Sequence, residues 1–84
     1  MVKALVTVHY KAGILDPQGK AVQNALKSMG IQGVGEARVG RHIVLTFPDL
    51  AKEEAEERTK EACERILSNP VIEDYEYELL EEKS

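Results

Sequence analysis

Two histidines, one cysteine, a scatter of glycines and a dense set of carboxylates are the residues of this 84-residue chain that could do chemistry. His9 and His42 could serve as general bases, because imidazole readily exchanges a proton near neutral pH. Neither has a Ser or Cys beside it in a nucleophile motif, so solvated or interface roles fit them better. Cys63 falls on an apolar helical stripe and reads as a buried structural thiol. Gly33 and Gly35 begin a glycine pattern of the dinucleotide-binding kind, but Arg38 stands where its third glycine belongs. The pattern also leads into extended sequence instead of a helix, so no helix N-terminus would face a phosphate. Glu73, Asp74, Glu76 and Glu78 could suggest a cation site. Along a strand, however, Asp74, Glu76 and Glu78 stand about 7 Å apart at each step, too spread for one ion. The residues therefore predict no catalytic group, no metal and no cofactor.

Size and charge narrow the class further. Residues 1–84 make one domain, and a domain this small is marginally stable unless something adds to it. One cysteine excludes an internal disulfide, and with two distant histidines it excludes a Cys-rich zinc site. Oligomerisation is then the most available source of extra stability. Fifteen acids against 11 bases give a net charge of −4, which argues against nucleic acid as a partner. No apolar run approaches the roughly 18 residues of a membrane span, and no signal peptide is visible at the start. A cytoplasmic location is expected.

The elements that must position these groups follow from periodicity. Val2, Ala4, Val6, Val8 and Tyr10 alternate with Lys3, Leu5, Thr7, His9 and Lys11, the pattern of a half-buried strand. Asp16 offers a helix N-cap and Pro17 suits the first helical position. Val22, Ala25, Leu26 and Met29 repeat at helical spacing, and Gly30 ends the helix as a left-handed C′ residue. Residues 33–47 read as two strands, Ala37 and Val39 then Ile43, Leu45 and Phe47 inward, with a turn at Gly40 and Arg41. The inward residues of both strands have odd numbers, so a plain two-residue turn would set them on opposite faces. A three-residue connection or a bulge near Gly40 is therefore expected. Pro48 ends the strand and Asp49 can cap a second helix. Its inward stripe is Ala55, Thr59, Ala62, Cys63, Ile66 and Leu67, and Asn69 and Pro70 stop it. Val71 to Leu80 alternates again, and residues 81–84 are expected to fray.

The order β-α-β-β-α-β predicts an α+β fold of ferredoxin-like kind, an antiparallel sheet with two helices on one face. Fold alone does not fix function. Acylphosphatases share this order, but the corresponding first loop, Ala12 to Asp16, has no Arg for the catalytic role that family requires. An RNA-binding sheet would display aromatics on its open face, whereas Tyr10, Phe47, Tyr75 and Tyr77 all fall on the helix-facing side. Ligand-sensing modules of the ACT type also use this order as dimers, and a pocket at a dimer interface would favour them. What remains is a sheet face that no helix covers, carrying Leu5, Val44, Ile72 and Leu80 among polar groups. Apolar side chains grouped on an open face suggest self-association.

Three segments carry a family resemblance. Gly13 to Val22, with the core Asp16-Pro17-Gln18-Gly19, is similar to the strand-to-helix corner of PurS proteins. Val39-Gly40-Arg41 leading into Ile43 resembles that family's Gly-Lys or Gly-Arg hairpin, and Cys63 to Tyr75 resembles the end of its second helix and the start of its last strand. The resemblance spans essentially the whole chain. It implies a non-catalytic subunit of phosphoribosylformylglycinamidine (FGAM) synthase in purine synthesis. In that complex PurQ, a glutaminase, releases ammonia, and PurL, a synthetase, uses it to aminate an ATP-activated formylglycinamide ribonucleotide. The implied partners are PurL, PurQ and further copies of the chain itself, as a dimer or tetramer that can exchange segments. Partner contacts are expected at Asp16, Gln18 and Gly19, at the hairpin tip Gly40, Arg41 and His42, and at Glu73, Asp74 and Tyr75.

Overall fold

The central strand β1, Val2–Tyr10, carries its valines inward, as its alternation requires. In the computed structural model, which describes residues 1–82, β1 lies between β2 (Arg41–Phe47) and β3 (Glu73–Glu81), antiparallel to both. The register sets Val44 and Glu78 on either side of Leu5, and His42 and Glu76 on either side of Thr7. One face of the sheet therefore presents Ala4, Val6 and Val8 flanked by Ile43, Leu45, Phe47, Tyr75, Tyr77 and Leu79. The other presents Leu5, Thr7 and His9 with their cross-strand neighbours.

Helix α2, Lys52–Ala62, runs into a π-helical turn, Cys63–Leu67, and covers the β1–β3 side of the inner face. Ala55, Thr59 and Cys63 are fully buried there. The Thr59 hydroxyl is satisfied by donating to the Ala55 carbonyl at 2.8 Å. Burial pushes the Cys63 thiol up from its ordinary pKa, so it stays protonated and inert, as its place on the stripe implied. Two expectations for this helix are corrected. Its N-cap is Ala51, with no side-chain cap bond, and not Asp49, because the backbone is still extended at Ala51 (φ −69°, ψ 159°). Glu53 and Glu54 in the first turn offset this by meeting the positive end of the helix dipole. Ile66 is 78% exposed, not inward. The π turn inserts extra backbone, so Cys63 and Leu67 stay on the sheet side while Ile66 rotates out.

Helix α1, Pro17–Ser28, behaves differently. Asp16 caps it, Pro17 opens it and Gly30 follows it at φ 78°, all as the sequence indicates. Yet only Gly19 of its 12 residues is buried. The segment from Glu36 to Val39, expected as a hairpin strand, pairs with no strand, and no reversal occurs at Gly40 and Arg41. The chain runs on extended into β2, so the observed order is β-α-β-α-β and α1 projects as an arm beyond the sheet. The Cα radius of gyration is 16.4 Å with a longest extent of 48 Å. A compact chain of this length would have a radius near 12 Å.

At the other end of the sheet, Glu81 pairs with Val2, and the Glu82 amide donates to the Met1 carbonyl at 2.8 Å. Fraying was expected from residue 81. Glu81 and Glu82 are instead tied to the strand, and residues 83–84 lie outside the described part.

Candidate functional site

The resemblance-bearing segments converge at the end of the sheet where the arm leaves it. Gln18, Gly40, Arg41 and Glu73, with Val8, His9, Tyr10 and Val39, line one cavity of about 40 Å³. Two carboxylates organise its surroundings.

The first is Asp16. Its Oδ1 accepts from the Gly19 amide at 2.8 Å and its Oδ2 from the Val39 amide at 2.8 Å. One side chain thus caps α1 and holds the segment leading to β2. These two backbone donors, Gly19 first, keep the carboxyl below its usual pKa. Gly19 is required by close approach, because a Cβ there would collide with the Ala37 carbonyl oxygen. Arg38 adds a third tie, donating to the carbonyls of Tyr10 at 3.1 Å and Lys11 at 3.3 Å. The Asp-Pro-x-Gly corner is therefore a joint that fixes the direction of α1.

The second is Glu73, at the inward-facing start of β3. Its Oε1 accepts from the Asn69 amide at 2.7 Å and from Arg41 Nη2 at 3.0 Å. The Asn69 amide first, and Arg41 second, hold its pKa below the ordinary carboxylate value. The same Arg41 nitrogen donates to the Leu67 carbonyl at 2.7 Å. Arg41 therefore connects the start of β2 to the end of the π turn. Ser68 closes that turn by donating from Oγ to the Cys63 carbonyl at 2.8 Å, and the Val71 amide donates to Asn69 Oδ1 at 3.1 Å.

This placement changes the standing of several residues expected to be exposed partner contacts. Asp16, Gly19 and Glu73 are buried, because each is consumed in holding backbone together. Tyr75 is half-buried on the inner face beside Tyr77, their rings stacked with centroids 6.5 Å apart. Gln18, Gly40, Arg41, His42 and Asp74 are exposed. His42 and Asp74 lie on the outer face, on the two strands that flank β1, beside Thr7 and His9 respectively. Residue types in the sequence marked the corner as special. What they did not show was that its polar groups point inward.

The outer face carries Leu5 and Val44 as direct cross-strand neighbours. Val44 is 50% exposed and Leu80, beside Lys3 on β3, is 38% exposed. Ile72 sits in the turn before β3, half-buried, its carbonyl accepting from Lys11 at 2.9 Å, at the far end of the same face. His9 Nε2 is 3.6 Å from Glu76 Oε1. Among the described residues no group of three or more His, Cys, Asp or Glu is placed to hold a metal ion. No helix among the described residues is long and apolar enough to cross a membrane.

Comparison with known proteins bears on the same segments. The family "PurS: Phosphoribosylformylglycinamidine (FGAM) synthase" matches residues 3–81. The Bacillus subtilis protein called phosphoribosylformylglycinamidine synthase subunit PurS is 44% identical over 81 residues, covering 96% of this chain and 95% of that one. The subunit of the same name from Methanocaldococcus jannaschii is 37% identical over 90% of this chain and 92% of its own. The crystal structure of M. jannaschii PurS superposes with a TM-score of 0.88 at 34% identity, covering 99% of this chain and 100% of that one. A chain of "Structure of PurLQS from Thermotoga maritima" superposes with a TM-score of 0.82 at 33% identity, covering 95% of this chain and 99% of its own. The fold is thus the α+β, ferredoxin-like arrangement seen in those structures, and this chain belongs to the PurS family.

Proposed function

We propose that the chain is a non-catalytic assembly subunit of a cytoplasmic FGAM synthase. It joins a PurQ-type glutaminase to a PurL-type synthetase, so that ammonia released from glutamine reaches the ATP-activated formylglycinamide ribonucleotide. Ammonia set free in bulk water would be protonated and diluted, so holding two active sites in fixed relation serves the reaction without chemistry of its own. The PurS names of the relatives and the PurLQS assembly support the partners.

The observation that carries the reading is the arm. Ile43, Leu45 and Phe47 on the β2 side of the inner face are only half-buried, because α2 covers the other side. Val22 on α1 and Met29, the residue that caps its end, are 43% and 75% exposed. One chain holds an uncovered half-face and, elsewhere, a helix suited to cover it. Exchange of arms between two copies brings these together, the second copy's α1 lying over Ile43, Leu45 and Phe47. The extended segment 33–39 of each copy then pairs along the free edge of the other's β2. Between two chains, Ala37 can stand opposite Ile43 and Gly35 opposite Leu45 with all inward side chains on one face. The odd-numbered parity that would strain a hairpin is natural in such an exchanged ladder.

Partner contacts then fall to the exposed members of the recognised segments, Gln18, His42 and Asp74, with Gly40 and Arg41 at the joint. The test mixes the purified chain with PurL and PurQ and follows turnover. Glutamine-dependent turnover is expected to require the chain, while turnover on added ammonium should not. Gln18→Arg and Asp74→Arg should weaken the glutamine-dependent rate selectively. No stimulation of glutamine-dependent turnover by the wild-type chain would overturn the reading.

A further inference from the structure

The sheet has a second free edge. Strand β3 is terminal in the order β2-β1-β3, and no strand among the described residues pairs with its far side. Its ladder to β1 fixes which backbone groups face out. The Glu82 amide donates to the Met1 carbonyl at 2.8 Å, and the Met1 amino group donates back to the Glu82 carbonyl at 3.1 Å. The Lys11 amide donates to the Ile72 carbonyl at 2.9 Å. Residues bonded in this way alternate along an antiparallel strand with residues whose N–H and C=O point to the other side. Even-numbered residues of β3 therefore face β1, while Tyr75, Tyr77 and Leu79 turn their amides and carbonyls to the free edge. Glu73 fits the same phase, since its amide leaves the ladder and donates to the Asn69 carbonyl at 2.7 Å. From Tyr75 to Leu79 the open row is about 14 Å long.

The side chains select what can pair there. On the outer face an added strand would lie beside Asp74, Glu76 and Glu78, all exposed. Among the described residues only Glu76 of the three has a basic neighbour, His9 at 3.6 Å. On the inner face it would lie beside Tyr75, Tyr77 and Leu79, which are half-buried. The Tyr77 hydroxyl donates to Glu56 at 3.0 Å and that of Tyr75 to Glu64 at 3.4 Å, so α2 braces this edge from above. A second copy of β3 is a poor occupant. A two-fold at Tyr77 would set Glu76 of each copy directly opposite Glu78 of the other, like charge against like. The acids thus guard the edge against its own kind. A strand with Lys or Arg on its outward side and apolar residues inward matches both faces.

We propose that the free edge of β3 accepts such a basic, alternating extended segment of a partner subunit as an added strand. The proposal rests on the reading of the chain as an assembly subunit and names how one partner is held. Main-chain bonds to Tyr75, Tyr77 and Leu79 supply the affinity, and the acidic column supplies the selection.

The experiment is amide hydrogen exchange of the full chain, alone and with purified PurL and PurQ, read residue by residue after quenching. In the chain alone the amides of Tyr75, Tyr77 and Leu79 should exchange faster than those of Glu76 and Glu78. In the complex the odd-numbered amides should slow at least about tenfold, with the even-numbered ones little changed. Two variants probe the same edge through the affinity for PurL and PurQ, measured by sedimentation. Leu79→Pro removes a donor from the free edge and none from the ladder to β1. It should weaken assembly at least about tenfold while the two-chain species persists. Glu76→Lys combined with Glu78→Lys alters only exposed side chains and should weaken assembly about tenfold.

Odd-numbered amides left unprotected in a complex that does form would overturn the proposal. So would protection already complete in the chain alone, which assigns the edge to pairing between copies. Assembly unaffected by the double lysine variant would overturn it as well. Glutamine-dependent turnover stimulated by the wild type in the same preparation separates these results from failure of the proposed function.

Discussion

The sheet-and-α2 body and the α1 arm are built from similar sequence material with opposite results. Both helices carry a narrow apolar stripe of small and medium side chains. In the body, Ala55, Thr59 and Cys63 reach full burial against Val6 and Val8. In the arm, Val22, Met29 and the following Ile31 remain 43%, 75% and 46% exposed. The difference lies in the joints. The π turn and the Arg41–Glu73 contact fold the end of α2 back onto its own sheet. The Asp16 and Gly19 corner directs α1 away from it. Burial is therefore complete within one chain beneath α2, whereas the stripe of the arm stays exposed in one chain and the proposed exchange would cover it.

The comparison breaks most visibly at the arm's stripe. Val22→Glu with Leu26→Glu removes little contact within one chain, yet it should abolish the two-chain species in sedimentation. It should also lower the melting temperature on the order of 10 °C and remove its concentration dependence. Unchanged mass and melting would show that the arm has no second-chain partner. Gly19→Val should come next in effect. A β-branched side chain must displace the Ala37 carbonyl, which redirects the arm at a cost of about 3 kcal/mol by denaturant unfolding. A smaller loss, about 2 kcal/mol, is expected for Val6→Ala in the body, a cavity beneath α2. Its loss should not vary with protein concentration in the dimeric range, and dimerisation should survive. If Val6→Ala instead dissociated the chains, body and arm would not be separable.

How far the sequence disclosed this depends on the range of the determining contacts. The faces of β1 and β3, the Asp16 cap, the Pro17 start and the Gly30 stop were all legible, because each depends on neighbours within a few residues. The apolar choice of Leu5, Val44 and Leu80 for the open face followed from the same alternation. The hairpin expected at Gly40 is not there, and its absence was not legible. Residues 33–47 have the composition of two strands in either a closed or an exchanged arrangement, and only the parity conflict between Val39 and Ile43 hinted at the second. Ile66 was misplaced because a π turn leaves no mark in a 3.6-residue pattern. Asp16, Gly19 and Glu73 read as exposed corners because charged and turn-forming residues usually are. Their inward roles depend on amides at Val39 and Asn69 and on the carbonyl at Ala37, which composition does not display.

The smallest expected effect compares the two carboxylate joints directly. Asp16 serves the arm and Glu73 serves the body, and both have pKa values lowered on folding, chiefly by backbone amides. A carboxyl with a lowered folded-state pKa binds protons more readily in the unfolded chain. Its stabilisation is present above its ordinary pKa, near 4 for both groups, and is lost as pH falls through the folded value. Melting temperature should therefore decline below about pH 4.5 in the wild type, and Asp16→Asn and Glu73→Gln should each make that decline shallower. Asp16→Asn can still cap α1 through its amide oxygen, but its NH₂ cannot accept from the Val39 amide. At neutral pH it should loosen the arm, seen as faster hydrogen exchange at Val39 and a weaker two-chain species, with the body unchanged. Glu73→Gln should instead speed exchange at Asn69 and leave dimerisation nearly as it was. Equal effects of both variants on exchange and on dimerisation would mean that the two joints act as one unit, and that the arm is coupled to α2 through the cavity between Gln18 and Glu73.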